Sequence, residues 1–249
     1  MARVALSLLF WSFLTLSSLA LFPVAVAIWA VTAPFDRRKV ILHRFTCFWA
    51  SLYTWLNPVW PLRVLGREHI DPRETYVMVS NHLSLLDILV LFRLFRHFKW
   101  VSKIENFRVP CIGWNMSLNG YVKLKRGDKA SIIEMMADCD RLLGEQNSIM
   151  MFPEGTRSPT GRMRAFKPGA FELALRNRRP LLPIAITGTA DALPKRGFVL
   201  RGRHPLTLTV LPPIPYESFA GLDAFDLAER VRAILYEQVG EPKEPTPAK

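Results

Sequence analysis

A long uncharged run at the N-terminus constrains this chain more than any other feature of its sequence. No charged residue stands between Arg3 and Asp36, and the run reads VALSLLFWSFLTLSSLALFPVAVAIWAVTAP. It exceeds the about 20 residues that a helix needs to cross a bilayer core. A secretory signal peptide ending at Ala25-Val26-Ala27 is the rival interpretation, but the run before that triplet is too long and apolar residues continue beyond it. We therefore predict a membrane segment.

A second apolar segment, residues 40–60, follows the basic cluster Arg37-Arg38-Lys39 and is rich in aromatic side chains, which favour the membrane–water interface. Two arrangements stay open. The first run spans the bilayer with the basic cluster on the cytoplasmic side, or both segments form a hairpin that dips into one leaflet. Pro23 predicts a kink or a break in the first helix. In either arrangement, we expect the rest of the chain on the cytoplasmic face of the cell inner membrane.

Beyond Gly66, short apolar runs rich in β-formers alternate with helical patterns, which predicts an α/β domain. The predicted strands are Tyr76–Ser80, Lys99–Ser102, Tyr121–Leu124, Ser148–Phe152, Leu182–Gly188 and Leu206–Leu211. The predicted helices are Ser84–Phe95, Ala130–Leu143, Pro168–Asn177 and Phe225–Val239. We divide the chain into a membrane-anchoring segment (1–62), a catalytic domain (63–240) and a Pro- and charge-rich tail (241–249) that we expect to be disordered.

The chain is strongly basic, with 33 Lys and Arg against 21 Asp and Glu, a formal net charge of +12. This charge predicts an anionic partner: nucleic acid, anionic lipid or a phosphorylated substrate. No nucleic-acid-binding motif is present, and the membrane segment argues against that partner. Cys47, Cys111 and Cys139 form no CxxC pair and indicate free thiols in a reducing compartment. No zinc-ligand spacing is visible, and we predict no metal.

The stretch SNHLSLLDILV places a histidine and an aspartate where an apolar strand gives way to an apolar helix. Five residues of regular helix would turn them about 140° apart, so they meet only if His82 lies in the entering loop and Asp87 in the first turn. Ser84 and Asp87 also fit a capping box, in which Asp87 only closes the helix start. The alternative is that Asp87 orients His82 as a general base. Because no G-x-S-x-G elbow is present, the hydroxyl it activates would belong to a substrate.

Three further polar loops lie just past predicted strands and carry cations. PEGTRS follows Phe152, with Gly155 permitting a tight turn and Arg157 offering the guanidinium that binds phosphate oxygens well. KLKRGD contains Arg126, and Lys103 follows another strand. Because sites on such sheets lie in the loops past the strand ends, these cations indicate a phosphorylated substrate near His82.

These motifs occur in a recognisable order. N-H-x4-D (Asn81, His82, Asp87), SKIENFRVPCIGW…YVKLKRGD, FPEGTRS (Phe152–Ser158) and RPLLPIAI together resemble the 1-acyl-glycerol-3-phosphate acyltransferase family in its bacterial form. The resemblance covers about residues 60–215, and the N-terminal apolar pair is also similar. It implies a mixed sheet flanked by helices, the glycerolipid acyltransferase fold, behind a two-helix membrane motif.

The resemblance also implies residue roles. His82 would be the general base and Asp87 its orienting partner, and the acceptor hydroxyl would attack an acyl thioester directly, without an acyl-enzyme. Asn81 and Ser84 support this motif. The residues that match the family's acceptor- and phosphate-binding motifs are Lys103, Arg126, Glu154, Gly155, Thr156 and Arg157. Pro183 matches a proline linked to the acyl donor.

The function that the resemblance implies is acyl transfer from acyl-CoA or acyl carrier protein to the sn-2 hydroxyl of lysophosphatidic acid at the lipid bilayer. No cofactor is expected, because the thioester is already activated. Where the family often has IFIDR, this chain has YVKLKRGD, so Lys123 and Lys125 add charge. Another lyso-lipid (lyso-ornithine lipid or another lysophospholipid) or glycerol 3-phosphate therefore remains an alternative acceptor. A non-catalytic lipid-binding protein, with Asp87 as a mere cap, is the alternative of a different class.

Overall fold

The computed structural model describes residues 2–158, 160–195 and 198–240. The helices are Ala2–Thr32 (α1), Val40–Trp55 (α2), Leu86–Phe92 (α3), Ile112–Leu118 (α4), Lys129–Gly144 (α5), Gly169–Asn177 (α6), Thr189–Ala192 (α7) and Ala224–Val239 (α8). The strands are Leu62–Leu65 (β1), Val77–Ser80 (β2), Lys99–Lys103 (β3), Val122–Leu124 (β4), Ile149–Met151 (β5), Leu181–Thr187 (β6) and Leu206–Val210 (β7). The tail predicted for residues 241–249 lies outside the described residues.

The strands form one mixed sheet in the order β1-β7-β6-β2-β5-β3-β4. The run from β6 to β4 is parallel throughout, whereas β7 pairs antiparallel with β6 and parallel with β1. The predicted α/β class and mixed sheet are thus confirmed, and every predicted strand is present with its ends within one residue. The sequence interpretation missed β1, a short edge strand, and the short helices α4 and α7.

Two apolar cores cover the two faces of the sheet. On one face, Met78 and Ile184 pack with side chains of α1, α2 and α3, such as Leu42 and Leu91. On the other face, the neighbouring strand residues, such as Val79, pack with α5, α6 and α8. The central strands β2 and β6 are buried almost throughout between these layers of helices, which is why they read as continuous apolar runs in the sequence.

The N-terminal helices share the first core with the domain. Helix α1 runs without a break through Pro23, so the predicted break is wrong; a proline removes one helical hydrogen bond, and the flanking bonds hold the helix. Helix α2 buries one side against the sheet domain: His43 Nδ1 lies 2.8 Å from Tyr121 Oη, and its Nε2 lies 2.9 Å from the Arg96 carbonyl. In the described part of the chain, Arg3–Thr32 alone has the length and apolarity of a membrane span.

Candidate active site

The predicted site residues gather at one edge of the sheet, because the five parallel strands present their carboxyl ends there. His82 follows β2, Glu154 follows β5, Lys103 ends β3 and Arg126 follows β4. Thr189 follows β6 at the same edge. Adjacent strands lie about 4.8 Å apart, so loops from neighbouring strand ends can enclose a single substrate.

His82 and Asp87 form a buried hydrogen-bonded pair. His82 Nδ1 lies 2.9 Å from Asp87 Oδ2, and Asp87 is fully buried. A carboxylate only accepts, so Nδ1 carries the proton and Nε2 of the neutral ring is left with a lone pair. The imidazole stacks on Phe152, with ring centroids 3.9 Å apart and an interplanar angle of 8°. The pair therefore presents an oriented base at the carboxyl edge of the sheet.

Asp87 also caps the start of α3. The capping contact and the contact with His82, which the sequence presents as alternatives, are therefore both present. Its Oδ2 accepts hydrogen bonds from the amides of Leu83 (2.7 Å) and Ser84 (2.8 Å). Helix α3 begins at Leu86, two residues later than predicted, which leaves His82 in the loop as the geometry required. Capping fixes the carboxylate, and the fixed carboxylate orients the imidazole.

Asn81 and Ser84 hold this loop onto the end of β6. The Asn81 side chain donates to the Ile186 carbonyl and accepts from its amide, both at 2.8 Å. The Ser84 hydroxyl donates to the Leu193 carbonyl at 2.5 Å. Both side chains are buried, so they position the motif and do not face a substrate.

Glu154 lies in the site, but its carboxylate binds the protein's own backbone. Oε1 accepts from the His82 amide at 2.7 Å, and Oε2 accepts from the Arg164 amide at 3.0 Å. The residue is buried, and burial raises the pKa of its carboxyl to about 7 despite these two donors. Glu154 therefore ties the loop after β5 to the loop after β2. The acceptor contact that the resemblance implies for Glu154 stays a prediction.

The rest of the PEGTRS loop forms a tight turn around His82. Gly155 adopts φ +70, a conformation that side chains disfavour, and its amide donates to the Phe152 carbonyl at 3.0 Å. Thr156 and Arg157 are half-buried. The Ser158 amide donates to the His82 carbonyl at 3.1 Å. The loop thus brings the backbone that follows Arg157 against the backbone of His82.

The cations at this edge lie close enough to influence one another. Burial lowers the pKa of the Arg126 guanidinium, Glu105 opposes that change, and the nearby positive charge of Arg157 lowers the pKa further. Lys103 pairs with Glu105 at 3.2 Å in an exposed ion pair. In the described part of the chain, no carboxylate lies within salt-bridge distance of Arg126 or Arg157. Two neighbouring guanidiniums of this kind are suited to an anionic ligand.

A family model described as Acyltransferase matches residues 61–187, more than half of the chain. The chain belongs to the acyltransferase family. The 1-acyl-sn-glycerol-3-phosphate acyltransferase CHLREDRAFT_174358 of Chlamydomonas reinhardtii is 39% identical over 74% of this chain and 55% of its own length. A chloroplastic 1-acyl-sn-glycerol-3-phosphate acyltransferase of Brassica napus is 37% identical over 76% of this chain and 54% of its own length. The chain therefore spans about half the length of these relatives.

The fold of this chain is similar to a solved structure, the 1-acyl-sn-glycerophosphate (LPA) acyltransferase PlsC from Thermotoga maritima. The TM-score is 0.76 at 20% sequence identity, over 98% of this chain and 100% of the other. The similarity includes the N-terminal helices, so the predicted two-helix motif in front of a mixed sheet is confirmed as part of the fold.

Pro183 is not among the residues that the fold brings together at the carboxyl edge. It lies in the body of β6, level with Val79 of β2, and its carbonyl accepts from the Leu211 amide at 3.0 Å. Its missing N–H faces the same side, where Pro212 and Pro213 interrupt the β7 pairing, so the strand tolerates it. Its predicted link to the acyl donor stays a prediction.

Sequence reasoning missed two contacts of this candidate site. The Phe152 ring supports His82, and the Thr189 hydroxyl donates to Asp87 Oδ1 at 2.5 Å. Phe152 stands in the FPEGTRS motif, but nothing in the sequence indicates which ring it contacts. Thr189 is far from Asp87 along the chain, so only the sheet topology could identify it. Within the described ranges, no cluster of three or more His, Cys, Asp or Glu side chains could hold a metal ion.

The raised pKa of Glu154 predicts a pH-dependent stability that the variant Glu154→Gln lacks. The folded-state pKa is about 7 against an ordinary value of 4.5, so between these values the folded protein binds more protons than the unfolded chain. Stability therefore falls as pH rises through this window and levels off above it. We expect the Tm of the parent to fall relative to that of the variant by on the order of 5 °C across the window.

The measurement is thermal unfolding of parent and variant in the same detergent at several pH values. Glu172→Gln, at an exposed position on α6, is the matched control and should follow the parent curve. Parallel curves for the parent and Glu154→Gln would contradict the assignment.

Proposed function

We propose that this protein is a 1-acylglycerol-3-phosphate O-acyltransferase, which moves a fatty acyl chain from acyl-CoA or acyl carrier protein to the sn-2 hydroxyl of lysophosphatidic acid and gives phosphatidic acid. The observation that carries the proposal is the oriented His82–Asp87 pair at the same edge of the sheet as Arg126 and Arg157, whose positive charges influence each other. The names of the relatives, which act on 1-acyl-sn-glycerol 3-phosphate, support the same acceptor.

The proposed reaction uses His82 Nε2 as a general base. It takes the proton of the acceptor hydroxyl while the oxygen attacks the thioester carbonyl carbon. The tetrahedral intermediate collapses, the carbon–sulfur bond breaks, and the imidazolium returns the proton to the leaving thiolate. Asp87 stays ionised and holds the ring through Nδ1. A thioester is already activated, so the proposed steps balance without a metal or cofactor.

The cations are proposed to bind the acceptor phosphate. Arg157 and Arg126 would contact its oxygens, and Lys103 would add a third positive charge at the end of β3. A phosphate held there would bring the glycerol hydroxyl toward His82, since the PEGTRS loop encloses both groups. Positioning of this kind contributes much of the rate of a two-substrate reaction.

We propose that α1 and α2 hold the catalytic domain at a lipid bilayer, in a hairpin within one leaflet. Helix α1 is about 46 Å long, yet it contacts the domain both near its start and further along. The Leu200 amide donates to the Ser7 hydroxyl at 2.9 Å, and the rings of Phe22 and Trp114 are 5.4 Å apart. A helix held flat on the domain fits a hairpin better than a span. The cations of residues 37–39 after α1 fit the cytoplasmic face of the inner membrane.

The outward face of α1 provides the test of membrane binding. Leu9 and Leu16 are 70% and 66% exposed there. A charge in the apolar part of a bilayer costs about 2.5–3.5 kcal/mol, so the double variant Leu9→Glu/Leu16→Glu should lower the fraction that floats with lipid vesicles at least about tenfold. Ile133→Glu is the matched control, because Ile133 is 70% exposed on α5, on the opposite face of the sheet. Equal flotation of the double variant and the parent would contradict the proposal.

The acceptor is tested by acyl transfer with purified protein and a panel of lyso-lipids. Lysophosphatidic acid should be the preferred acceptor, ahead of glycerol 3-phosphate, lyso-ornithine lipid and other lysophospholipids. Lys123 and Lys125 are accounted for without a second anion, because one lies over the Phe107 ring and the other pairs with Asp128. Preference for an acceptor without a terminal phosphate would overturn the assignment of the guanidiniums and leave the His82 mechanism intact.

A further inference from the structure

The turn after β6 packs against the loop that carries His82 and Asp87, and one hydroxyl joins the two. We propose that Thr189 is a positioning residue of the reaction: its hydroxyl fixes the carboxylate of Asp87, and thereby the ring of His82. The proposal rests on the proposed acyl transfer and extends it to a residue outside the matched motifs.

The two carboxylate oxygens of Asp87 accept hydrogen bonds from different donors. Oδ2 accepts from the His82 ring and from two backbone amides, whereas Oδ1 accepts from the Thr189 hydroxyl at 2.5 Å. In the described part of the chain, Thr189 is the sole donor to Oδ1. Both side chains are fully buried, so water cannot readily replace the hydroxyl. Without it, a buried carboxylate oxygen would lack a partner, and the carboxylate could rotate away from His82.

The position of Thr189 is itself fixed by the backbone. Gly188 adopts φ +83, and a Cβ there would lie 2.2 Å from the Pro205 carbonyl oxygen, so only glycine allows this close approach to the start of β7. Further along the turn, the Leu193 carbonyl accepts from the Ser84 hydroxyl. The turn is thus anchored on both sides of Thr189, and the hydroxyl is held toward Asp87.

A group that acts through Asp87 affects the rate of proton transfer and not the binding of substrates. His82 gains a positive charge when it takes the hydroxyl proton, and the carboxylate stabilises that charge only while it stays on Nδ1. Thr189 touches neither lipid nor thioester in this mechanism. Its loss should therefore lower kcat and leave both KM values unchanged.

The test compares Thr189→Val, which keeps the shape and removes the hydroxyl, with Thr189→Ser, which keeps the hydroxyl. We expect Thr189→Val to lower kcat by about 10- to 100-fold, with acceptor and donor KM within about twofold of the parent. Thr189→Ser should retain kcat within about threefold. Thr187→Val, the same change two residues earlier on β6, is the matched control and should resemble the parent.

A double-mutant cycle separates positioning from a general structural effect. In the Asp87→Asn background, Thr189→Val should lower the residual kcat by less than about twofold, because its partner is already altered. Multiplicative losses, a raised KM, or failure of Thr189→Ser to retain activity would overturn the proposal. Parent-like turnover by Thr189→Val would overturn the role of Thr189 and leave the proposed function intact. A parent that transfers acyl groups to no acceptor would overturn both.

Discussion

We expect His82→Ala to lower kcat by about 10²–10⁴-fold, the contribution of a positioned general base, and to leave acceptor binding nearly unchanged. The reason is geometric: Asp87 holds Nδ1, so Nε2 is the ring atom left to accept the hydroxyl proton. The alanine variant should keep the fold, because Asp87 still accepts from the amides of Leu83 and Ser84. Steady-state acyl transfer with saturating donor and acceptor measures the loss.

His204→Ala is the matched control for this prediction. His204 lies in the segment before β7, and its Nε2 contacts the Arg201 carbonyl at 2.7 Å, so its loss should not affect turnover. Lysophosphatidic acid binding to the His82→Ala protein, measured without donor, should match the parent. Near-parental turnover by His82→Ala would reduce the motif to a helix cap and overturn the assignment of His82 as the base. A parent that shows no turnover would favour the non-catalytic lipid-binding alternative.

The sheet could be predicted from the sequence because its central strands are buried on both faces. Such strands read as short apolar runs, and each of the six runs is a strand. Strand β1 was missed because it is four residues long and half of them face solvent, including Arg63. The order of the strands, and therefore which loops meet, depends on long-range pairing that no local pattern records.

The sequence predicted which polar loops gather at one edge of the sheet, but not what each of their charged side chains contacts. Glu154 and Arg157 stand in one motif, and both are charged. The structure turns Glu154 inward onto two backbone amides and leaves Arg157 close enough to Arg126 to lower the pKa of that guanidinium. Whether a charged side chain binds its own backbone or an incoming ligand depends on burial, and burial is set by residues far away in the chain.

The predicted capping box and the predicted orientation of His82 depend on the same carboxylate, that of Asp87. Helix capping needs an acceptor oxygen at the helix start, and orientation of the imidazole needs an acceptor oxygen at hydrogen-bond distance from Nδ1. Asp87 meets both needs with one oxygen atom, and Thr189 occupies the other. The sequence alone presents these as alternatives because it shows residue types and spacing, not which oxygen accepts from which donor.

Arg157→Ala should raise the KM for lysophosphatidic acid by about 10- to 100-fold and change kcat by less than about threefold. A guanidinium forms two charge-assisted hydrogen bonds with a phosphate. The backbone of Arg157 is anchored at this edge of the sheet, because Lys195 Nζ donates to the Arg157 carbonyl at 2.7 Å. Arg157→Lys should recover part of the affinity, since an ammonium keeps the charge and loses the planar fork.

Two comparisons distinguish phosphate binding from a general effect of lost charge. Arg176→Ala removes a cation from the same basic stretch, but Arg176 pairs with Asp140 at 2.7 Å between α6 and α5, so its loss should leave the acceptor KM unchanged. The KM for a phosphodiester acceptor such as lysophosphatidylcholine should rise less in Arg157→Ala than the KM for lysophosphatidic acid, a phosphomonoester. The diester presents fewer free phosphate oxygens and less negative charge. Unchanged acceptor saturation in Arg157→Ala would remove this residue from the phosphate site and leave Arg126 and Lys103 to hold the anion.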